Sequence, residues 1–251
     1  MILDIQNLSF RYKHNLVIQE IGFTAEKGSL VAILGRNGAG KTTLLKCINH
    51  VLKSQTGTVL IEGIDTKTLR PLQLARKIGW VPQSGEISLM NVFDLVLLGR
   101  KPHFTWAPTK EDYQKVEEAL TTIGIKSLAL RPANQLSGGE FQQVQIARAL
   151  AQDPKVILFD EPTSSLDIHN QYRLMSTIQM IIRQSSRLAV MAVHDLNMAL
   201  RYCDKFILLK EGKVFACGGT EVITPSSIEA VYDIKTKVVE VENYPIVVPA
   251  K

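Results

Sequence analysis

The sequence predicts an α/β fold built on a largely parallel sheet, and three observations lead there. Short apolar runs bounded by turn residues recur: "GSLVAILG" (28–35), "KVILFD" (155–160), "LAVMAV" (188–193) and "KFILLK" (205–210). They alternate with segments whose apolar residues repeat at helical spacing, notably 40–52 and 168–184, and buried strands alternating with helices are the pattern of a parallel sheet. The first run also leads directly into a glycine-rich turn and then a helix, an order that suits anion binding.

Taken in chain order, the opening segment sets Leu3, Ile5, Leu8, Phe10 and Tyr12 among polar residues, which reads as strand and turn. After "GSLVAILG", the stretch "GKTTLLKCINHVL" (40–52) gathers Leu44, Leu45, Ile48, Val51 and Leu52 on one helical side. "GTVLIEG" (57–63) is a strand closed by a turn, and "IGWVPQ" ends a further strand at Gln83. From about Ser84 to Gln152 the pattern changes. "NVFDLVLLG" and "TKEDYQKVEEALTTIGI" read as helices; Thr109 caps the second, with Glu111 and Asp112 in its first turn. No strand pattern occurs there, so residues 84–152 are expected to form an inserted helical subdomain. The helix at 168–184 should bury Ile168, Tyr172, Met175, Ile178 and Ile182. A short helix from Asp195, the turn "EGK" and the strand "VFACG" follow. The last 30 residues combine a short helix, "PSSIEAVYD", with "TKVVEVENYPIVV", expected as a strand pair packed on the main domain.

Composition narrows the class. The 251 residues are 45% hydrophobic and 21% charged, ordinary globular usage. No apolar run approaches the ~18 residues that cross a bilayer. The N-terminus has neither a basic n-region nor a small-residue cleavage site, so a cytosolic chain is expected. The net charge of +5 is scattered without a basic run, which reads as a mildly basic solvated surface rather than a nucleic-acid site. Cys47, Cys203 and Cys217 lack metal or disulfide spacing and read as reduced thiols.

The chemistry starts at "GRNGAGKT" (35–42), which fits G-x-x-x-x-G-K-[ST] between a strand and a helix. Such a loop curls so that backbone N–H groups face phosphate oxygens. Lys41 can reach the β- and γ-phosphates, and the Thr42 hydroxyl can ligate Mg²⁺. "VILFDE" (156–161) delivers Asp160 to a strand's C-terminal end beside that metal, while Glu161 points elsewhere and is free to act on water. His194 follows the strand "LAVMAV" at the same sheet edge. "LSGGEFQQVQIARAL" (136–150) is a second glycine-rich turn opening a helix, and so a second candidate anion site, about a hundred residues after the first.

The ordered set "GRNGAGKT", "VPQ", "LSGGE", "ILFDE", "SSLD" and "VHD" resembles the ATP-binding-cassette (ABC) ATPases over nearly the whole chain. That resemblance implies a P-loop NTPase with a RecA-like core, an antiparallel β subdomain and an inserted helical subdomain. Residues 1–83 and 153–220 would form the core with its β subdomain, 84–152 the helical subdomain and 221–251 a C-terminal extension. It implies ATP and Mg²⁺ as cofactors. Gly35, Asn37, Gly38, Ala39, Gly40, Lys41, Thr42 and Thr43 would form the phosphate loop, and Thr42, Gln83 and Asp160 would stand at the metal. Glu161 would be the general base, with Gln83, Lys41 and His194 beside the reacting phosphate. Tyr12 would stack on adenine. Ser137, Gly138, Gly139 and Asp167 would face a nucleotide held by a second copy of the chain. One departure is Phe141, where many members carry a basic residue after "LSGGE".

"LVLLGRKPHF" (95–104) reads by itself as a helix end, a glycine stop and a basic, proline-containing surface loop. By resemblance, L-G-R-x-P-H is typical of cassettes serving iron(III)-chelate, haem and cobalamin importers, some members of that branch serving molybdate-type oxyanions. The expected partners are a second copy, integral membrane permease subunits and, through them, an extracytoplasmic solute-binding protein. The chain itself would sit at the cytoplasmic face of the membrane. The rival classes are a soluble nucleic-acid or ribosome-associated cassette, which usually carries long insertions or two cassettes, and an exporter motor.

Overall fold

The computed structural model describes residues 1–85, 88–164, 166–242 and 244–250; Ser165 of "SSLD" lies outside the described residues. The chain opens with β1 (Leu3–Tyr12) and β2 (Asn15–Ala25), an antiparallel pair. The buried strand β3 (Leu30–Leu34) leads through the glycine-rich turn into α1 (Lys41–Ile48), and β4 (Thr56–Ile61) and β5 (Ile64–Asp65) follow. Strands β2-β1-β4-β5, in that spatial order, make an antiparallel sheet.

Next come α2 (Pro71–Ala75) and β6 (Ile78–Val81), then three helices without an intervening strand among the described residues: α3 (Val92–Leu97), α4 (Lys110–Ile123) and α5 (Gly138–Ala151). The chain returns with β7 (Val156–Asp160), α6 (Ile168–Gln184), β8 (Leu188–Ala192), α7 (Leu196–Tyr202), β9 (Lys205–Lys210) and β10 (Lys213–Gly218). It ends in α8 (Pro225–Tyr232) and the hairpin β11 (Thr236–Val241) and β12 (Tyr244–Pro249). The second sheet runs β10-β9-β3-β8-β7-β6; all pairs are parallel except β10 with β9.

Every residue of β3, β7 and β8 is buried, because a parallel sheet is covered on both faces. The period-two alternation splits those residues between two cores. Leu30, Ala32 and Leu34 face the core shared with α3–α8, while Val31 and Ile33 face the one under α1 and the antiparallel sheet.

Several predicted elements change at their edges. The helix expected over 40–52 stops at Ile48. His50 there takes the left-handed φ of 55° and its ring meets the Thr66 hydroxyl at 2.7 Å, so Val51 turns outward. The apolar stripe of α6 is Leu174, Met175, Ile178, Ile181 and Ile182; Ile168, 74% exposed, and Tyr172 lie outside it. Strand β2 and helix α2 had no counterpart in the sequence reading. Thr109 does cap α4, accepting from the Asp112 N–H, and the C-terminal strand pair is present.

The segment "LGRKPH" is not a surface loop. It forms a short 3₁₀ helix, Leu98–His103, in which Arg100 is buried. The Arg100 Nε donates to Asp112 Oδ1 at 2.9 Å and its Nη1 donates to the Ala151 carbonyl at 2.9 Å. A Cβ at Gly99 would run into the Arg148 carbonyl, so only glycine lets the turn lie against α5. His103 Nε2 meets the Gln152 carbonyl at 2.9 Å, and Arg76 Nε donates to the Pro102 carbonyl. The motif thus braces α4 and α5 to the core. Burial alone would raise the Asp112 pKa, but the Thr109 N–H, the Arg100 guanidinium and the Thr109 hydroxyl together hold it below the usual carboxylate range. Removing one partner of a buried ion pair leaves an uncompensated charge, so Arg100→Ala should cost about 3–5 kcal/mol in urea unfolding. The stability owed to Asp112 is present above the ordinary carboxylate pKa and is lost as pH falls through its depressed value.

Candidate functional site

Parallel register brings four strand ends to one edge of the sheet. Val81 stands opposite Phe159, Asp160 opposite Ala192, and Ala192 opposite Ile33. The residues that follow β6, β3 and β8, and the last residue of β7, therefore emerge side by side, the usual place for a ligand in such sheets. A cavity of about 410 Å³ opens there, lined by Val17, Asn37, Gly38, Gly40, Lys41, Thr42, Thr43, Gln83, Glu161 and His194.

The turn 35–40 is fixed by close packing. A Cβ on Gly35 would lie 2.5 Å from the Leu209 carbonyl oxygen of the neighbouring strand, so any larger residue would push the turn off the sheet. Gly40 caps α1 in the left-handed region with no side-chain cap, so the first N–H groups of the helix are left for an anion. Lys41 is buried, and its Nζ donates to the Gly35 carbonyl at 2.6 Å and to the Arg36 carbonyl at 3.2 Å. Burial lowers its pKa, with Glu161 and Asp160 acting in the opposite sense. An ammonium lying across its own loop can swing to a phosphate at little cost, exchanging one set of acceptors for another.

Asp160 ends β7 and accepts from the Thr42 hydroxyl at 2.8 Å. Burial raises its pKa, Thr42 acting against this. Two oxygen donors side by side suit a divalent cation that keeps waters and phosphate oxygens as its other ligands. Among the described residues no group of three or more His, Cys, Asp and Glu could hold a metal alone. Gln83, also expected at the metal, is turned elsewhere: its Nε2 donates to Glu161 Oε2 at 2.7 Å. Glu161 leaves the strand in the left-handed region, φ 51°, its N–H bonded to the Ala192 carbonyl. This turn sends the Glu161 carboxylate away from Asp160 and into the cavity. There its second oxygen meets His194 Nε2, so both oxygens have partners.

Tyr12 is not among the cavity-lining residues. It is exposed at the end of β1 and meets Phe10 edge-on, ring centroids 4.7 Å apart. Val17, which the sequence reading passed over, lines the cavity instead; it is anchored near the phosphate loop by the β2 backbone.

The second glycine-rich turn lies elsewhere. Ser137 caps α5 in a reciprocal box: its Oγ accepts from the Glu140 N–H, and Glu140 Oε2 accepts from the Ser137 N–H at 2.8 Å. Those bonds pull the Glu140 pKa down. Ser137, Gly139 and Glu140 line a separate cavity of about 640 Å³ with Leu166, Asn170 and Arg173, and it shares no lining residue with the first. A Cβ at Gly139 would sit 3.1 Å from Leu166 Cδ2, so the segment before α6 lies against the turn. Asp167 is exposed and caps α6, accepting from the Asn170 N–H, the bond that chiefly lowers its pKa. Phe141 packs inward: a Cβ on Gly85 would come within 2.9 Å of its ring.

A phosphate loop, a strand-end aspartate beside its threonine and a strand-end glutamate facing the same cavity define a P-loop ATPase. Residues 18–164 match the ABC transporter family, and the chain belongs to that family as one of its ATP-binding ATPase cassettes. It is 48% identical over 249 residues to an ABC transporter ATP-binding protein of Methanocaldococcus jannaschii, covering 99% of this chain and 98% of the relative. It is 37% identical over 240 residues to the cobalamin import ATP-binding protein BtuD of Halobacterium salinarum, covering 95% of this chain and 60% of the relative. Among solved structures, one described as an inward-facing metal-chelate type ABC transporter superposes with a TM-score of 0.85 at 30% identity, covering 100% of this chain and 98% of that one.

Lys41→Ala should weaken ATP binding about ten- to a hundredfold, the effect of losing one charge-assisted contact. Isothermal titration of the folded variant measures it, and parent-like affinity would place the phosphates elsewhere.

Proposed function

We propose that this cassette is the motor subunit of an importer that takes up a metal chelate of the iron–siderophore, haem or cobalamin type through a partner permease. The observation that carries the motor half is the meeting of Lys41, Thr42 and Glu161 in one cavity, with Asp160 bonded to the Thr42 hydroxyl behind it. The substrate half rests on likeness to a cobalamin import ATPase and a metal-chelate type transporter, and on the L-G-R-x-P-H segment.

In this reading ATP lies along the phosphate loop with Lys41 against its β- and γ-phosphates. Thr42 and Asp160, with Gln83, would hold Mg²⁺, which would supply positive charge against the phosphates. Glu161 orients and deprotonates the attacking water, and His194 supports the γ-phosphate end. Such catalysis is mostly positioning and electrostatics. Tyr12, exposed and close to β2, stacks on the adenine. Asn37, Gly38, Ala39 and Thr43 supply the remaining loop contacts.

Ser137, Gly138, Gly139 and Asp167 act on ATP bound to a second copy. Their cavity shares no lining residue with the one at the chain's own phosphate loop, and an isologous pair with two nucleotides in the seam would use both. The permease seat is the groove of about 500 Å³ lined by Val51, Pro71, Leu74, Trp80 and Gln152. It lies between the core and α5, with "LGRKPH" bonded to its floor at Gln152. Among the described residues no helix is long and apolar enough to cross a membrane; docking at the cytoplasmic face of the membrane through the permease follows in this reading. The extracytoplasmic solute-binding protein acts through that permease.

Glu161→Gln should keep ATP affinity, cut turnover by about 10²–10⁴-fold and make the chain sediment as a dimer with Mg²⁺ and ATP. Near-parent turnover would remove Glu161 from the base role, and a monomer under those conditions would remove the paired site. In vesicles carrying the co-purified permease and binding protein, iron(III)-siderophore, haem or cobalamin should stimulate ATPase activity. Stimulation by molybdate alone, or by nucleic acid without permease, would overturn the substrate assignment.

A further inference from the structure

The C-terminal hairpin has two unlike faces. In its register Val238 stands opposite Val247, Lys237 opposite Val248, Val239 opposite Ile246 and Val241 opposite Tyr244. Side chains alternate between faces along each strand. Val247 is buried and Val238 packs against the main core, so this pair turns inward. Lys237, Val239 and Val241 of β11 therefore share the outer face with Tyr244, Ile246 and Val248 of β12. Val239, Val241, Tyr244 and Val248 are 40%, 48%, 44% and 43% exposed, so apolar side chains dominate a face that is open to solvent. The solvated face of an antiparallel sheet normally carries polar residues, and a contiguous exposed apolar patch marks a contact surface.

The face is fixed in place and leads toward the nucleotide seam. The Val247 N–H donates to Asn197 Oδ1 at 2.8 Å, and Asn197 Nδ2 donates to the Val247 carbonyl at 3.2 Å, so α7 holds the edge of β12 away from β11. One turn further along α7, Arg201 lies over the Tyr244 ring at 5.4 Å and over the Tyr172 ring at 5.7 Å. A single guanidinium thereby joins the hairpin's outer face to α6. Tyr172 is itself exposed, and so is Ile168 one turn earlier on the same side of that helix. Ile168 follows Asp167, the cap of α6 and a residue assigned above to the seam between two copies. The two ends of the hairpin carry opposite charges: Lys237 is exposed at its open end and Glu242 at its turn.

We propose that the outer face of the C-terminal hairpin is a second contact between two copies of this chain, continuous with the nucleotide seam through Tyr172 and Ile168. The inference rests on the paired-site reading given under the proposed function. One two-fold axis relates every contact of an isologous pair, so a patch joined to the seam on one copy meets the same patch on the other. Charge then selects the arrangement. A two-fold axis crossing the strands lays β11 against the partner strand in the opposite direction, and Lys237 meets the partner's Glu242. An axis along the strands would set lysine against lysine, which opposes contact. None of the six outer-face residues lines the phosphate-loop cavity. The contact therefore adds to association without touching nucleotide, and it keeps one half of the seam at high local concentration beside the other.

The test measures the dimer dissociation constant by sedimentation with Mg²⁺ and ATP, starting from Glu161→Gln and adding Val239→Asp/Val241→Asp, Lys237→Glu, or Lys237→Glu/Glu242→Lys. Val239→Asp/Val241→Asp should weaken the dimer by about ten- to a hundredfold, the effect of losing a buried apolar anchor. ATP affinity by titration and the melting temperature without nucleotide should stay at the Glu161→Gln values. Lys237→Glu should weaken the dimer by about three- to tenfold, since two symmetric ion pairs are lost, and the swapped pair Lys237→Glu/Glu242→Lys should restore it. A dissociation constant within twofold of Glu161→Gln for Val239→Asp/Val241→Asp overturns the proposal. So does an unchanged dimer that no longer co-purifies with the permease, which would make the face a permease contact. Should Val239→Asp/Val241→Asp melt early, the decision passes to the two charge variants, which alter only exposed side chains; a swap no tighter than Lys237→Glu overturns the proposal. If Glu161→Gln alone stays monomeric with ATP, it is the paired-site reading that fails, and the proposal with it; if it dimerises and every hairpin variant dimerises equally well, only the hairpin contact fails.

Discussion

The site depends on one constraint, the parallel register of β6, β7, β8 and β3. Parallel strands run in one direction, so all of them end at the same edge, and each needs a crossover before the next can begin. The crossovers supply the helices that bury both faces, and the shared edge supplies the site. Register also decides which acid does what. Asp160 is the last paired residue of β7, opposite Ala192, and Glu161 is the first residue beyond it, with φ positive. A slip of one residue in β7 would turn every side chain to the other face. It would bring Glu161 toward Thr42 and take Asp160 away from it. Nine buried residues of β7 and β8, among them Leu158, Phe159 and Val190, oppose such a slip because each is matched to one of two apolar cores.

The phosphate loop, Asp160, Glu161 and His194 were legible in the sequence because each is tied to a strand end, and strand ends show as apolar runs meeting turn residues. Strand β2 was not legible. Its partner β1 carries register shifts between Ile5 and Leu8, Leu8 and Phe10, and Phe10 and Arg11. Each irregularity interrupts the period of two on which a strand is recognised. Ile168 and Tyr172 keep helical spacing with Met175 and so read as part of the α6 stripe, yet burial on that helix begins only at Leu174. Gln83 could be placed at the edge but not paired: its bond to Glu161 joins residues 78 positions apart and has no local signature. The basic look of "GRKPH" misled for a related reason. A charged residue reads as solvated unless its counter-charge is known, and Asp112 lies on another helix.

Each chain carries two cavities of different kinds, one at the phosphate loop and one at the "LSGGE" turn. The phosphate loop has its lysine, threonine and Glu161 around one open cavity. The "LSGGE" turn has a helix start, with Ser137 and Glu140 already committed to capping each other. Having spent its side chain on the cap, this turn offers mainly backbone N–H groups and the helix dipole. That is a poor site for a free ion in water and a useful one for a phosphate already held elsewhere. Two disjoint cavities in one chain thus make sense as the halves of a site closed by a second copy, the pairing put forward under the proposed function.

The same view gives Phe141 a part. A basic side chain there would point to solvent or to a nucleotide across the seam. Phenylalanine instead packs toward Gly85, two residues past Gln83, and Gln145 on the next turn of α5 lies against the same glycine. Glycine at 85 leaves no Cβ to hold the two segments apart, so α5 and the Gln83 loop are in direct van der Waals contact. Gln83 in turn holds one oxygen of Glu161, and His194 holds the other. A rotation of α5 would therefore be felt at Gln83 through packing and at Glu161 through one hydrogen bond. Closely packed interfaces transmit such shifts because they deform little. In the resting arrangement both oxygens of the proposed base are occupied, and a water can replace Gln83 only when that hydrogen bond opens. Under the proposed function, the base is freed by the movement that brings α5 to a second nucleotide, which ties hydrolysis to closure of the pair.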